Sequence, residues 1–166
     1  MAQQDDFEVV RLVLDYGKDD AGYGEIFRRL ADDGEYKAHR STDATPEHFP
    51  SQDRHGPQVL DVIMFQPQMP PEGQNQWLST EQVRAQMDAA ELEPEDALVT
   101  LRVAKDKRGD FALGALASVW SHGDCRFVLS ASSDGGKRKL HVSWCGNDVW
   151  RGHWRFPARR KGSPKP

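Results

Sequence analysis

No stretch of this chain is apolar for the roughly 18 residues that a membrane span needs, and the mean hydropathy is −0.74. The opening residues, MAQQDDFEVV, lack the basic and apolar regions of a secretory signal. A cytoplasmic protein with no membrane partner is the expectation. Cysteine is scarce: two in 166 residues, too few for a disulfide scaffold. The sequence also contains no GxGxxG, P-loop, GxSxG, HExxH or paired CxxC, which removes the common nucleotide, hydrolase and zinc signatures. His39, His48 and His55 lie in a Pro-punctuated polar stretch, residues 37–58, at spacings that match no compact ligand motif. His122 with Cys125, and Cys145 with His153, are the remaining zinc candidates. No cofactor is expected.

The length suits one compact domain, residues 1–166, with a real core. Net charge is −4 but unevenly spread. Residues 120–166 hold ten Lys/Arg against three Asp, net +7, so the rest of the chain is acidic. A basic, aromatic C-terminal part could attract nucleic acid or an acidic partner. Four of those positive charges, Arg159, Arg160, Lys161 and Lys165, fall in a Pro/Gly-rich tail expected to be frayed, residues 157–166.

Phe7–Tyr16 alternates as a strand. Tyr23–Glu35 carries Ile26, Phe27 and Leu30 at helical spacing and ends near Gly34. Val59–Gln66 reads as a central strand. Ser79 and Gln82 have capping-box spacing, with Val83, Met87 and Ala90 as the inner stripe of that helix. Pro94 fits the first turn of a third helix, Glu95 and Asp96 its positive end, and Leu98, Leu101 and Ala104 its buried side. Arg108-Gly109-Asp110 is a turn. Phe111–Trp120 is a strand of small residues whose Gly114, Ala115 and Ala117 permit close approach to a neighbour.

Val119–Arg160 organises the rest. A hairpin over Cys125–Ser132 and Lys137–Gly146, closed by a two-residue loop at Asp134-Gly135, places Phe127 opposite Val142, Leu129 opposite Leu140 and Cys125 opposite Trp144. Phe127, Leu129, Leu140, Val142 and Trp144 then share one face. Arg126, Val128, Ser130, Lys139, His141, Ser143 and Cys145 share the other, so the two cysteines point apart as unpaired thiols. A second reversal at Gly146-Asn147-Asp148 brings Trp150 opposite Trp144 and His153 opposite His141. The frame is then Trp120, Trp144, Trp150, Trp154 and Phe156. The outer face and its loop carry Lys139, His141, Ser143, Cys145, Gly146, Asn147, Asp148, Arg151 and His153; the candidate display positions are these without Lys139, together with Gly152 and, at the margin, Arg126, Val128 and Ser130. Those side chains carry no catalytic logic beyond one alternative: His141 and His153 as acid and base, with Arg126, Arg151 and Lys139 holding a phosphate, would make a metal-independent ribonuclease or a nucleic-acid-binding module.

FALGALASVW, GGKRKLHVSW and NDVWRGHWRFPARRK occur in that order, preceded by LDYG, ADDGEYK, TPEHFP and VLDVIMF. Together they resemble an uncharacterised family of candidate-phylum bacteria whose members look like variable proteins of diversity-generating retroelements. Pro157 and Arg159 depart from its closing pattern. The resemblance implies an α+β, C-type lectin-like fold with antiparallel strands in the C-terminal third and two or three helices before them. It also implies a non-catalytic function: recognition of a protein or other macromolecular ligand by a surface, within about residues 121–156, that adenine-directed mutagenesis rewrites. Some such folds bind calcium; Asp124, Asp134 and Asp148 form no recognisable ligand cluster. The genetic code offers a check. An AAC codon randomised at both adenines never yields Glu, Gln, Lys, Met or Trp. Between Ser121 and His153 there is no Glu, Gln or Met, and Lys and Trp occur only at 137, 139, 144 and 150.

Overall fold

The computed structural model describes residues 7–32, 35–36, 38–146 and 149–163. Among these the chain is α+β, with three helices and two antiparallel sheets. Its elements are β1 (Glu8–Asp15), α1 (Asp20–Ala31), β2 (Pro57–Phe65), α2 (Thr80–Ala89), β3 (Leu92–Pro94), α3 (Ala97–Asp106), β4 (Phe111–His122), β5 (Cys125–Asp134), β6 (Lys137–Trp144) and β7 (Phe156–Arg160). One sheet runs β1-β2-β7-β3 and the other β4-β5-β6. No helix among the described residues is long and apolar enough to cross a membrane.

Each helix starts where a side chain satisfies its free N–H groups. Asp19 accepts from Gly22 N, Ser79 and Gln82 form the full capping box, and Asp96 accepts from Val99 N. The Asp19 cap moves the start of α1 ahead of Tyr23. The turn before it shrinks to Gly17 and Lys18, where Gly17 sits at φ +75 against the Gly22 backbone, with no room for a Cβ. Gly34, expected to stop this helix, lies outside the described residues. Pro94 does not open α3. It ends β3 at the sheet edge, where a missing N–H is tolerated, and Asp96 caps the helix two residues later.

The β5–β6 hairpin forms with a two-residue loop, but at Gly135-Gly136 rather than Asp134-Gly135. Both loop residues have positive φ, +56 and +78. That geometry strains any residue with a Cβ, so the glycine pair takes the loop. The register therefore moves by two: Phe127 pairs with Trp144, Leu129 with Val142 and Ala131 with Leu140. A shift of two keeps every side chain on its expected face.

The second hairpin does not form. After Trp144 the chain leaves the three-stranded sheet. Trp150 bridges to Leu78, Arg155 to Leu113, and β7 inserts between β2 and β3. Residues 157–160, expected to fray, are thus a paired strand with Ala158 fully buried. The reason is apolar burial. Trp150 and Phe156 are completely inaccessible, packed edge-on to each other at 5.1 Å. Gly114 makes the room: a Cβ there would stand 2.9 Å from the Phe156 ring. A hairpin on β6 would have left these rings half in water.

The middle of the three-stranded sheet is therefore covered on both faces. Leu129, Ala131 and Leu140 enter a core with α1, α3, β1 and β2. Val128 enters a second core with Val83, Leu116, Trp150 and Phe156. Between Gly114 and Val119 strand β4 bulges away from β5. Gln52 holds the bulge through the Ala117 carbonyl at 2.6 Å, and Arg84 does so through that of Leu116.

Residues 38–56 are tied down rather than loose. Ala44 and Phe49 are fully buried, and His39 and Ser41 extend the outer edge of β6 through the backbone of Leu140. Arg54, only 5% exposed, forks onto Glu95 at 2.6 and 3.0 Å and reaches Asp96 and the Tyr16 hydroxyl. Burial pushes the Asp96 carboxyl above its ordinary range, against the pull of Arg54. A carboxyl with a raised folded pKa contributes stability below its unfolded pKa and loses it as pH rises through the folded one. Stability relative to Asp96→Asn should accordingly fall above about pH 4, by at most about 1.4 kcal/mol per pH unit. Urea unfolding of both proteins at several pH values measures this; a difference that grows with pH would mean Asp96 is ionised in the fold.

Candidate functional site

The alternation of β5 and β6 divides the expected surface into parts that are exposed and parts that are not. Val128 is fully inaccessible in the second core, and Ser130 is buried with its hydroxyl 2.6 Å from that of Ser143. Neither faces a ligand. Both were placed outward because a covering layer, residues 149–156, was read as a further strand beside β6 rather than as a lid over β5.

His141 stands exposed on β6, with Ser143 half-buried beside it. Partial burial lowers the His141 pKa, and the charges of Lys139 and His39 lower it further. Arg126 is exposed at the open end of β5, and Cys145 N donates to its carbonyl at 3.0 Å. Burial raises the Cys145 thiol, which packs on the second core, whereas Cys125 is exposed, the reverse of the expected order. Arg151 is exposed with its guanidinium 4.0 Å from the centre of the Trp77 ring, a cation–π contact that orients it. His153 is exposed and tilted against Trp154 at 5.8 Å.

Gly146 and Gly152 are not free positions. A Cβ at 146 would fall inside the Trp144 ring, and one at 152 would stand 2.9 Å from Met69 Cγ. The Gly152 carbonyl also accepts from Gln66 and Arg155 at 3.2 Å. Asn147 and Asp148 lie outside the described residues.

The frame is smaller than expected. Trp150 donates its indole N–H to Thr80 Oγ1 at 2.9 Å, and Trp154 packs edge-on to it at 4.9 Å. Phe156 completes that group. Trp144 is not part of it, being 52% exposed. Trp120 is half-buried and stacks on His48 at 3.8 Å.

A cleft of about 430 Å³ opens beside this surface. Lys139, Ser132, Ser133, Asp134, Asp110, His153 and Trp154 are among the residues that line it. Ser132 was missed although its alternation with Ser130 puts it on the same face. Asp110 was not legible at all, since it arrives from the turn before β4, where its carboxylate takes the Gly135 N–H at 3.0 Å. The cleft offers charge of both signs, hydroxyls and an aromatic ring. Lys139 and His153 both line it, two of the five residues the ribonuclease alternative uses. Among the described residues, however, neither His141 nor His153 is hydrogen-bonded to a carboxylate that would set it up as acid or base. No group of three or more His, Cys, Asp or Glu among the described residues is placed to hold a metal ion.

No protein-family model, curated protein or solved structure matches the chain.

Proposed function

We propose that this chain is a non-catalytic binding protein of the C-type lectin-like type, and that its ligand-facing surface is diversified by a retroelement. The observation that carries the reading is the division of labour within residues 121–156. His141, Arg151 and His153 stand exposed on a support whose anchors, Trp150 and Phe156, are completely inaccessible. A surface rewritten at random needs that separation, because its side chains must change without disturbing the core.

Two further features support it. Strand β2, ahead of α2 and α3, pairs with the closing strand β7, and the separate β4-β5-β6 sheet lies between them in sequence; such closure of the domain on itself suits a C-type lectin-like architecture. The exposed candidates Arg126, His141, Arg151 and His153, and the half-buried Ser143, are all reachable from AAC codons, while the anchor Trp150 is not. The proposed ligand surface includes these five, and it takes a protein or other macromolecule.

The triple variant His141→Ala, Arg151→Ala, His153→Ala tests the separation. Each change is at an exposed side chain, so the three together should alter unfolding free energy by no more than about 1–1.5 kcal/mol. A loss above about 3 kcal/mol in urea unfolding would make this surface structural and remove the reading.

A further inference from the structure

The opposite face of the β4-β5-β6 sheet carries a second cleft, and it does not depend on the reading above. Trp120, Phe127 and Trp144 are in register across the three strands and share one face. At this end of the sheet the face is open: His122 is exposed beside Trp120, and Trp144, 52% exposed, stands outside the cleft with its ring against Gly146. The rings do not lie flat. Phe127 tilts by 37° to Trp120 at 5.5 Å, and His122 by 41° at the same distance. His48, held by its Nδ1 at 2.8 Å from the Asp43 carbonyl, stacks on Trp120 from the loop side. The result is a cleft of about 430 Å³ walled by aromatic and imidazole rings.

Its charge is one-sided. Asp43 is the one carboxylate lining it, and no Lys or Arg does. Among the described residues the Asp43 carboxylate takes part in no hydrogen bond or ion pair; only its backbone N–H and carbonyl are engaged. An unpaired anion beside several π faces is the chemistry of an organic cation, since ring quadrupoles attract positive charge. A phosphate or carboxylate ligand would meet that anion with no cation to offset it. We propose that this cleft binds a small organic cation with an alkylated ammonium head.

Choline and tetramethylammonium are the probes, titrated at constant ionic strength into ¹⁵N-labelled protein. Saturable shifts of the Trp120 indole N–H signal are expected, with a dissociation constant below roughly 20 mM. Asp43→Asn, at an exposed position, should keep the fold and weaken binding about tenfold. Trp144→Leu, outside the cleft lining, should leave it unchanged. Three results would overturn the proposal: no saturable shift with either cation, equal shifts with glucose or adenosine monophosphate, or unchanged affinity in Asp43→Asn. The triple alanine variant on the other face should bind choline as the parent does, so failure of one site leaves the other standing.

Discussion

Trp150→Ala should destabilise the fold by about 3–5 kcal/mol, and Trp144→Ala by less than about 1 kcal/mol. Both are tryptophans of the C-terminal region, and a reading of the sequence alone treats them as equal parts of one framework. The structure separates them. The Trp150 ring is inaccessible, its N–H is bonded to Thr80 Oγ1, and it is packed edge-on by Trp154 and Phe156. Truncation removes the ring, leaves a cavity that Gly114 and Phe156 cannot close, and strands the buried Thr80 hydroxyl. Trp144 is half in water and leans on Gly146, so its loss opens nothing. Chemical denaturation of the two variants measures the contrast. Comparable losses would mean that the inner layer beneath the candidate surface is assigned wrongly.

Arg54→Ala should cost about 3–5 kcal/mol, although Arg54 lies in the polar connection between α1 and β2. Burial disfavours its charge, but the hydrogen bonds and charge of Glu95 outweigh this and hold its pKa above the ordinary range. Glu95 is 1% exposed. Removing the guanidinium leaves that carboxylate buried, with Arg159 at 3.9 Å as its remaining cation. The penalty is the desolvated, uncompensated anion rather than the worth of the pair itself. Arg54→Ala with Glu95→Gln should recover more than half of the loss. A single variant that melts with the parent would show that the cluster is dispensable.

The elements that were legible have local causes. Alternation marks β1 and β2, the Ser79/Gln82 pair marks α2, and Leu98, Leu101 and Ala104 mark α3, because periodicity and capping are written within a few residues. The hairpin faces were legible as well, since a register change of two preserves them. Misread features depend on partners far along the chain. Whether residues 149–156 pair with β6 or cover β5 is decided by Gly114 and by the room between the sheets, which no local pattern encodes. The same holds for Arg54, whose partners lie 41 and 42 residues on. Within the candidate surface, alternation assigned the face of Arg126, His141 and Ser143 correctly. It failed for Val128 and Ser130 because a face is exposed only where nothing folds over it. Gly146 and Gly152 failed for a related reason: their backbones are approached by Trp144 and Met69, contacts invisible in the sequence.

Deep sequencing of the 3′ end of this gene across its source population, with the flanking DNA, tests the diversified surface most directly. Substitutions should concentrate in the codons for Arg126, His141, Ser143, Arg151 and His153, and in those for Asn147 and Asp148. They should match adenines in a nearby near-repeat next to a reverse transcriptase gene, and the codons for Val128, Trp120, Trp144 and Trp150 should stay constant. A uniform 3′ end with no template repeat, or substitutions that fall on Val128 as often as on His141, would contradict it.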